Sequence, residues 1–285
     1  MFSLKQFKFT CVSILLVLMA GCSSQFAYNN LDWLIHWYID DFIDLDKPQK
    51  AQFDAQFVVW QQWHRTEELK RYQTQLLRVR DLVETNDINE NVFQRETELA
   101  RMHWERLRSR VAPELVDMAK SLSSKQVAAM FDALEERNEE SQEEIIYDSE
   151  EERIEQLEKN LNKRVKEYIG KLTKAQKQII SDFAPRFTVN RPEWVKYRRA
   201  VQAEAKQLFL LEDRGVAFEQ ALTALLENPD VYKHDLLVAN SEINRKIYAE
   251  MVMVIKDTLT RKQKTRLLRK IDDLIEDLGD LQEGS

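Results

Sequence analysis

Leu172-Thr173-Lys174-Ala175-Gln176 and Leu259-Thr260-Arg261-Lys262-Gln263 are two copies of the local pattern that decides the fold of this chain. In each copy the threonine hydroxyl can accept a hydrogen bond from an unpaired amide in the first turn of a helix. The glutamine three residues later can reach back to the threonine amide, which completes a capping box. Each cap stabilises its helix by about 1 kcal/mol. The pattern therefore predicts that helices begin at residues 174 and 261.

The same pattern occurs twice more, at Asp46 to Gln49 and at Ser123 to Gln126. Between the boxes, apolar residues recur every three or four positions, which is the period of a helix. Glycine is scarce, which excludes glycine-rich phosphate loops and disfavours a protein rich in β-hairpins. The predicted helices span 30–44, 47–84, 89–120, 124–169, 174–184, 192–226, 231–257 and 261–279.

These helices predict an all-α fold, an elongated multi-helix bundle. The same series of capping boxes and helices occurs in each half of the chain, which indicates an internal duplication. We therefore expect two related helical modules, at residues 30–170 and 171–285, with the second packed on the first. The predicted helix 124–169 lies between them and is acidic, with a coiled-coil-like seam. Its acidic run at 135–158 and the basic run at 261–270 are solvated helix faces in one interpretation. In the other, the acidic helix projects from the body to meet a basic partner or the module's own basic helix.

The start of the chain has the order of features of an export signal. Lys5 and Lys8 precede an apolar run at 9–20, and the run ends in Ala20-Gly21-Cys22. The run is shorter than the ~20 residues that a membrane-spanning helix needs. A basic start, a short apolar run and small residues are typical of a secretory signal peptide. The Ala-Gly-Cys junction resembles the lipobox of bacterial lipoproteins.

We therefore predict a signal peptide at 1–21, a lipid attached to Cys22 and a short tether at 22–29. Ser23 and Ser24 follow the cysteine, so the aspartate that retains lipoproteins at the inner membrane of Gram-negative bacteria is absent. By that sorting rule the protein lies at the periplasmic face of the outer membrane. The net charge of −7 and this location make nucleic acid a poor candidate for a partner.

Two family resemblances follow from short motifs. The run from Tyr28 to Leu34, Tyr-Asn-Asn-Leu-Asp-Trp-Leu, continues through Trp37-Tyr38-Ile39-Asp40-Asp41-Phe42. This run resembles the start of a family of uncharacterised Gram-negative lipoproteins. The resemblance is sharpest over residues 22–65. That resemblance implies a lipidated, helical envelope protein and carries no functional residues. The boxes at Thr173 and Thr260 resemble the L-T-x-x-Q motif of the small periplasmic chaperones of the Spy and CpxP type, which are shorter and unlipidated.

One polar stripe stands out on an otherwise apolar helix. Asp32, His36 and Asp40 follow one another at intervals of four residues and so share one face. As a site, the stripe could bind a cation or move a proton, because two carboxylates favour a charged histidine. As a structural feature, His36 bridges buried groups, and this is the reading we prefer. Trp33, Trp37, Tyr38 and Phe42 could instead rest at the membrane interface.

Three hypotheses of function remain. The first is an outer-membrane lipoprotein whose helical body binds another envelope protein as a scaffold or assembly factor, without enzymatic activity or a cofactor. The second is a chaperone-like binder of clients, which the L-T-x-x-Q boxes favour. The third is a metal or enzymatic site around His36. The sequence has no visible zinc-binding helix or nucleophile motif, and the first hypothesis is the one we expect.

Overall fold

The structure is a computed structural model that describes residues 27–143, 147 and 149–283. This part of the chain contains eleven α-helices and no strand, so the predicted all-α multi-helix bundle is confirmed. The predicted signal peptide and Cys22 lie outside the described residues. The helices are α1 (Leu31–Ile39), α2 (Lys47–Trp63), α3 (Leu69–Thr85), α4 (Glu90–Lys120), α5 (Ser124–Glu143), α6 (Glu150–Ile169), α7 (Lys174–Phe183), α8 (Arg191–Phe209), α9 (Val216–Glu227), α10 (Asp235–Asp257) and α11 (Arg261–Glu283).

The four capping boxes are helix starts, as predicted. At the start of α2, the side chain of Asp46 accepts from the Gln49 amide, and the Gln49 side chain accepts from the Asp46 amide. Thr173 and Gln176 form the same reciprocal pair at the start of α7. The boxes at Ser123 and Thr260 open α5 and α11 with the same two bonds.

The boxes also meet in space, which their local pattern does not predict. Gln49 and Gln126 hydrogen-bond to each other, with Gln126 Nε2 lying 2.6 Å from Gln49 Oε1. Each side chain also donates to a main-chain carbonyl two residues before the other's cap, Gln49 to Ser121 and Gln126 to Asp44. The side-chain amide of each glutamine thus caps the start of its own helix and hydrogen-bonds to the start of the other helix.

Two predicted helices are wrong because each contains a break. The predicted acidic helix 124–169 is two helices, and Ser149 starts the second by accepting from the Glu152 amide with its own backbone extended. The predicted helix 192–226 ends at Phe209, and a turn through Gly215 leads into α9. At Ser149 a run of good helix formers masks the local cap, whereas α9 begins after Gly215, which has no side chain to cap it. The first helix is also shorter than predicted, ending at Ile39.

The helices of the second half of the chain pack on those of the first. Leu278 and Leu281 of α11 form an apolar cluster with Tyr28 and with Leu69 of α3. Phe218 and two leucines of α9 pack on Val116 of α4. A third cluster joins α6, α7 and α10. The division into two related modules at 170 and 171 stays a prediction. None of the described helices is long and apolar enough to cross a membrane.

Candidate functional site

A π-helical turn, His64–Glu68, joins α2 to α3 and ends in a buried charged residue, Glu68. The Leu69 amide donates to the His64 carbonyl five residues earlier. This extra residue accounts for a phase shift in the apolar pattern of the sequence, which includes Phe57, Trp60 and His64 before the turn and resumes at Leu69 after it. It also turns Glu68 inward, where its side chain is 1 % exposed. Such turns are frequent at functional sites.

Glu68 is a buried carboxylate that two arginines neutralise. Arg106 Nε of α4 donates to Glu68 Oε1 at 2.9 Å. Arg71 Nε of α3 lies 3.2 Å from the same oxygen. A buried carboxylate is stable only when it is paired and hydrogen-bonded in this way. Glu68 therefore fixes the positions of two guanidinium groups on neighbouring helices.

His103 lies between these groups and is held as a neutral imidazole. Burial lowers the pKa of His103 below its ordinary value, the neighbouring Glu68 carboxylate opposes this, and the charge of Arg106 adds to it. The neutral ring can accept at Nδ1 from Arg106 Nη2 and donate from Nε2 to Gln75 Oε1, which is 2.8 Å away. This tautomer is inferred from the hydrogen-bond network. Gln75 in turn donates to the Glu96 carbonyl at 2.7 Å.

A line of four rings connects this network to the beginning of the described chain. Tyr28 Oη lies 3.0 Å from His64 Nδ1, and Tyr72 Oη lies 3.3 Å from His64 Nε2. The rings of Tyr72 and His103 then meet edge to face, with centroids 4.4 Å apart. Burial, with a smaller contribution from the Glu68 charge, raises the pKa of Tyr72 to about 12. The phenols therefore stay neutral over the physiological range.

The arginines border an open cleft of about 250 Å³ between α3 and α4. The cleft is lined by Lys70, Arg71, Thr74, Gln75 and Arg78 of α3 and by Leu99, His103 and Arg106 of α4. Arg78 binds Glu96 through two bonds of 3.0 and 2.9 Å. Burial would raise the pKa of Glu96, but the hydrogen bonds from Arg78 hold it below its ordinary value. The residues that line the cleft include four cationic side chains and no carboxylate, so the cleft is cationic.

The structure places the three residues of the predicted polar stripe in different surroundings. Asp32 and Asp40 are exposed, whereas His36 is half-buried. The Nε2 atom of His36 pairs with Asp54 of α2, and its ring packs edge to face on Phe53. No group of three or more histidine, cysteine or acidic side chains in the described part of the chain could hold a metal ion.

The turn between α8 and α9 is a second feature of the surface. Leu210, Leu211 and Val216 are 69, 45 and 67 % exposed. Arg214 holds this turn against the end of α4, because its Nη1 lies 2.5 Å from the Leu122 carbonyl oxygen and 3.2 Å from that of Lys120. The Arg214 guanidinium also lies over the Phe209 ring, 5.1 Å from its centroid. The apolar side chains are therefore presented on a fixed backbone.

Sequence reasoning missed Glu68, Arg71 and Arg106 as a group. The one available signal was the five-residue step from His64 to Leu69 in an otherwise regular apolar stripe. A step of that length is compatible with a π turn, and in the structure the acid at the end of that turn faces inward. The partner on α4 could not be found in the same way, because Arg106 is 38 residues away from Glu68.

The fold and the site define an all-α bundle with a buried charge network beneath a cationic cleft. The model of a family of unknown function (DUF6279) matches residues 41–235, and the chain belongs to that family. The match includes the cleft and the apolar turn, and it overlaps the motif-rich segment 22–65 only from residue 41 onward. Searches of the curated proteins and of the solved structures find no match.

Proposed function

We propose that this chain is a lipoprotein of the outer membrane, attached through a lipid on Cys22, whose helical body binds another envelope protein without enzymatic activity. The observation that carries the binding role is the apolar turn at 210–216. Large apolar side chains on a fixed, exposed turn are typical of a surface that a partner covers. The clamp by Arg214 lowers the cost of ordering that turn when a partner binds.

The position of Tyr28 supports a body that lies close to the bilayer. Tyr28 is 7 % exposed and belongs to the cluster with Leu69 and Leu278. Tyr28 is six positions after Cys22, and a chain of that length spans at most ~20 Å. Trp33, which is 64 % exposed on α1, follows Tyr28 by five positions in the chain. An exposed tryptophan there suits a membrane interface.

The anchor is tested by metabolic labelling with a fatty acid in cells that carry Cys22→Ser or, as the matched control, Cys11→Ser. We expect label on the wild type and on Cys11→Ser and none on Cys22→Ser, because Cys11 would leave with the signal peptide. Separation of the two membranes should place the labelled protein in the outer membrane. Label that persists on Cys22→Ser would contradict the anchor.

The binding role is tested by in-cell photo-crosslinking from a probe at Leu210, with a second probe at the exposed Lys177 of α7 as the control. We expect one envelope protein to crosslink from Leu210 and not from Lys177. A ladder of many unrelated proteins at Leu210 would instead favour the chaperone-like alternative. No crosslink from Leu210 would contradict binding at this turn. The L-T-x-x-Q boxes do not separate the two roles, since their glutamines are engaged in pairs within the fold.

A further inference from the structure

We propose that the cleft between α3 and α4 binds a phosphate group, with Lys70, Arg71, Arg78 and Arg106 as the donors. Glu68 and Glu96 already engage the three arginines, but only through some of their nitrogen atoms. Within the described residues, the Nη1 atoms of Arg71, Arg78 and Arg106 carry no hydrogen bond, and the ammonium of Lys70 has no carboxylate partner. Donors from both walls therefore remain for a ligand.

The charge of the cleft favours an anion. Four cationic side chains line it. The two carboxylates beneath them are largely buried, with Glu68 and Glu96 at 1 and 8 % exposure, and one exposed carboxylate, Glu67, lies 3.8 Å from Arg71. The arginine side chains remain open to solvent, at 50 % for Arg71, 41 % for Arg78 and 31 % for Arg106. The net charge of the chain is −7, so this local excess of positive charge attracts an anionic group to the cleft rather than to the rest of the surface.

The donors are held in place before any ligand arrives. Glu68 fixes two of the guanidinium groups, and Glu96 fixes the third. Neutral His103 orients Arg106 and, through Gln75, links α3 to α4. Arginine forks held by carboxylates keep their remaining N–H groups pointed in fixed directions, which lowers the entropy cost of binding.

A phosphate fits this arrangement better than a carboxylate does. Its three or more oxygens can accept from donors on both walls and from Lys70 together, whereas a carboxylate offers two oxygens in one plane. The line of rings from Tyr28 to His103 also places the cleft near the point where the chain emerges toward Cys22. If the anchor of the proposed function holds, lipid headgroups supply phosphate close to this cleft. A soluble phosphate ester has the same chemistry.

The test is calorimetric titration of the full chain, purified in a phosphate-free neutral detergent, with glycerol phosphate and with inorganic phosphate. We expect saturable binding that Lys70→Gln weakens about tenfold and that Lys177→Gln, the same change of charge on α7, leaves unchanged. Arg78→Gln is the second cleft variant, since Arg95 and Gln75 still hold Glu96. Unchanged melting temperatures show that the cleft variants remain folded.

The source of the phosphate is distinguished by repeating the titration after reconstitution into phospholipid vesicles. Loss of glycerol phosphate binding in vesicles identifies the lipid headgroup as the ligand, and equal binding in both media identifies a soluble phosphate. No saturable binding in detergent, or equal binding by wild type and both cleft variants, overturns the proposal. So does acetate binding as tightly as phosphate. The detergent titration needs no lipid on Cys22, so failure of the anchor would leave its result standing.

Discussion

Gln176 and Gln263 pair through their side-chain amides in the interior of the bundle, 87 residues apart in the chain. Gln176 Nε2 lies 3.0 Å from Gln263 Oε1, and Gln263 Nε2 lies 2.8 Å from Gln176 Oε1. Each also donates to a carbonyl two residues before the other's cap, Gln176 to Thr258 and Gln263 to Lys171. Gln49 and Gln126 make the corresponding contacts. The repeated box is therefore a device that joins two helix starts.

Replacement of Gln176 by alanine should lower the free energy of unfolding by about 2–3 kcal/mol. Gln176 is fully buried, so its loss leaves the Gln263 amide without a partner and the first turn of α7 with an uncapped donor. Gln178→Ala is the matched control, because Gln178 is exposed on the same helix and should change stability by less than about 0.5 kcal/mol. Urea unfolding followed by circular dichroism measures both. Equal midpoints for the two variants would mean that the pair contributes nothing.

Replacement of Glu68 by alanine should cost about 3 kcal/mol of stability. The change leaves Arg106 and Arg71 without their shared carboxylate, and the penalty is smaller than for a fully buried pair because both guanidiniums are partly solvated. Glu67→Ala is the control. Its side chain is 52 % exposed and lies 3.8 Å from Arg71, so its loss should cost less than about 1 kcal/mol. A Glu68 variant as stable as the Glu67 variant would contradict a structural role for the network.

The sequence predicts the local elements of this fold well and the contacts between them poorly. Helix starts at Thr173 and Thr260 follow from five adjacent residues, and the structure confirms them. The pairing of Gln176 with Gln263 depends on how distant helices pack, which no local pattern encodes. The break before Ser149 was missed because the surrounding glutamates are good helix formers, and only the serine cap opposes them.

The same reasoning explains what could be predicted of the site. The four-residue spacing predicts that His36 shares one face of its helix with Asp32 and Asp40. The residue that His36 pairs with, Asp54, belongs to the next helix and could not be predicted in this way. The two aspartates that share its stripe are exposed instead. The sequence predicts which residues share one face of a helix. Which part of α2 that face contacts depends on the path of the turn at residues 40–46.

Acidification should destabilise the fold through His64 and His103. Burial lowers the pKa of both below the ordinary value of 6.5, with the Glu68 charge opposing this at His64. The unfolded chain then binds protons more readily, so their stabilising contribution is complete above pH ~6.5 and is lost as the pH falls. The melting temperature should drop between about pH 7.5 and pH 5, and less so in the double variant His64→Gln, His103→Gln. An equal drop in both proteins would assign the effect to other groups.

His36→Gln should lower the free energy of unfolding by less than about 1 kcal/mol. We expect no effect of metal ions on the stability of the wild type, and therefore none for the variant to lose. The pair with Asp54 is partly exposed, since the Asp54 side chain is 51 % accessible, and such pairs contribute little. Asp54→Asn should give a similar loss, whereas Asp32→Asn and Asp40→Asn should give none, because those two side chains are exposed. Thermal unfolding with and without zinc completes the test, because a ligand bound to the native state alone raises the melting temperature. A zinc-dependent rise in the wild type that His36→Gln and Asp54→Asn both remove would establish a metal site at this pair and overturn the structural interpretation of His36.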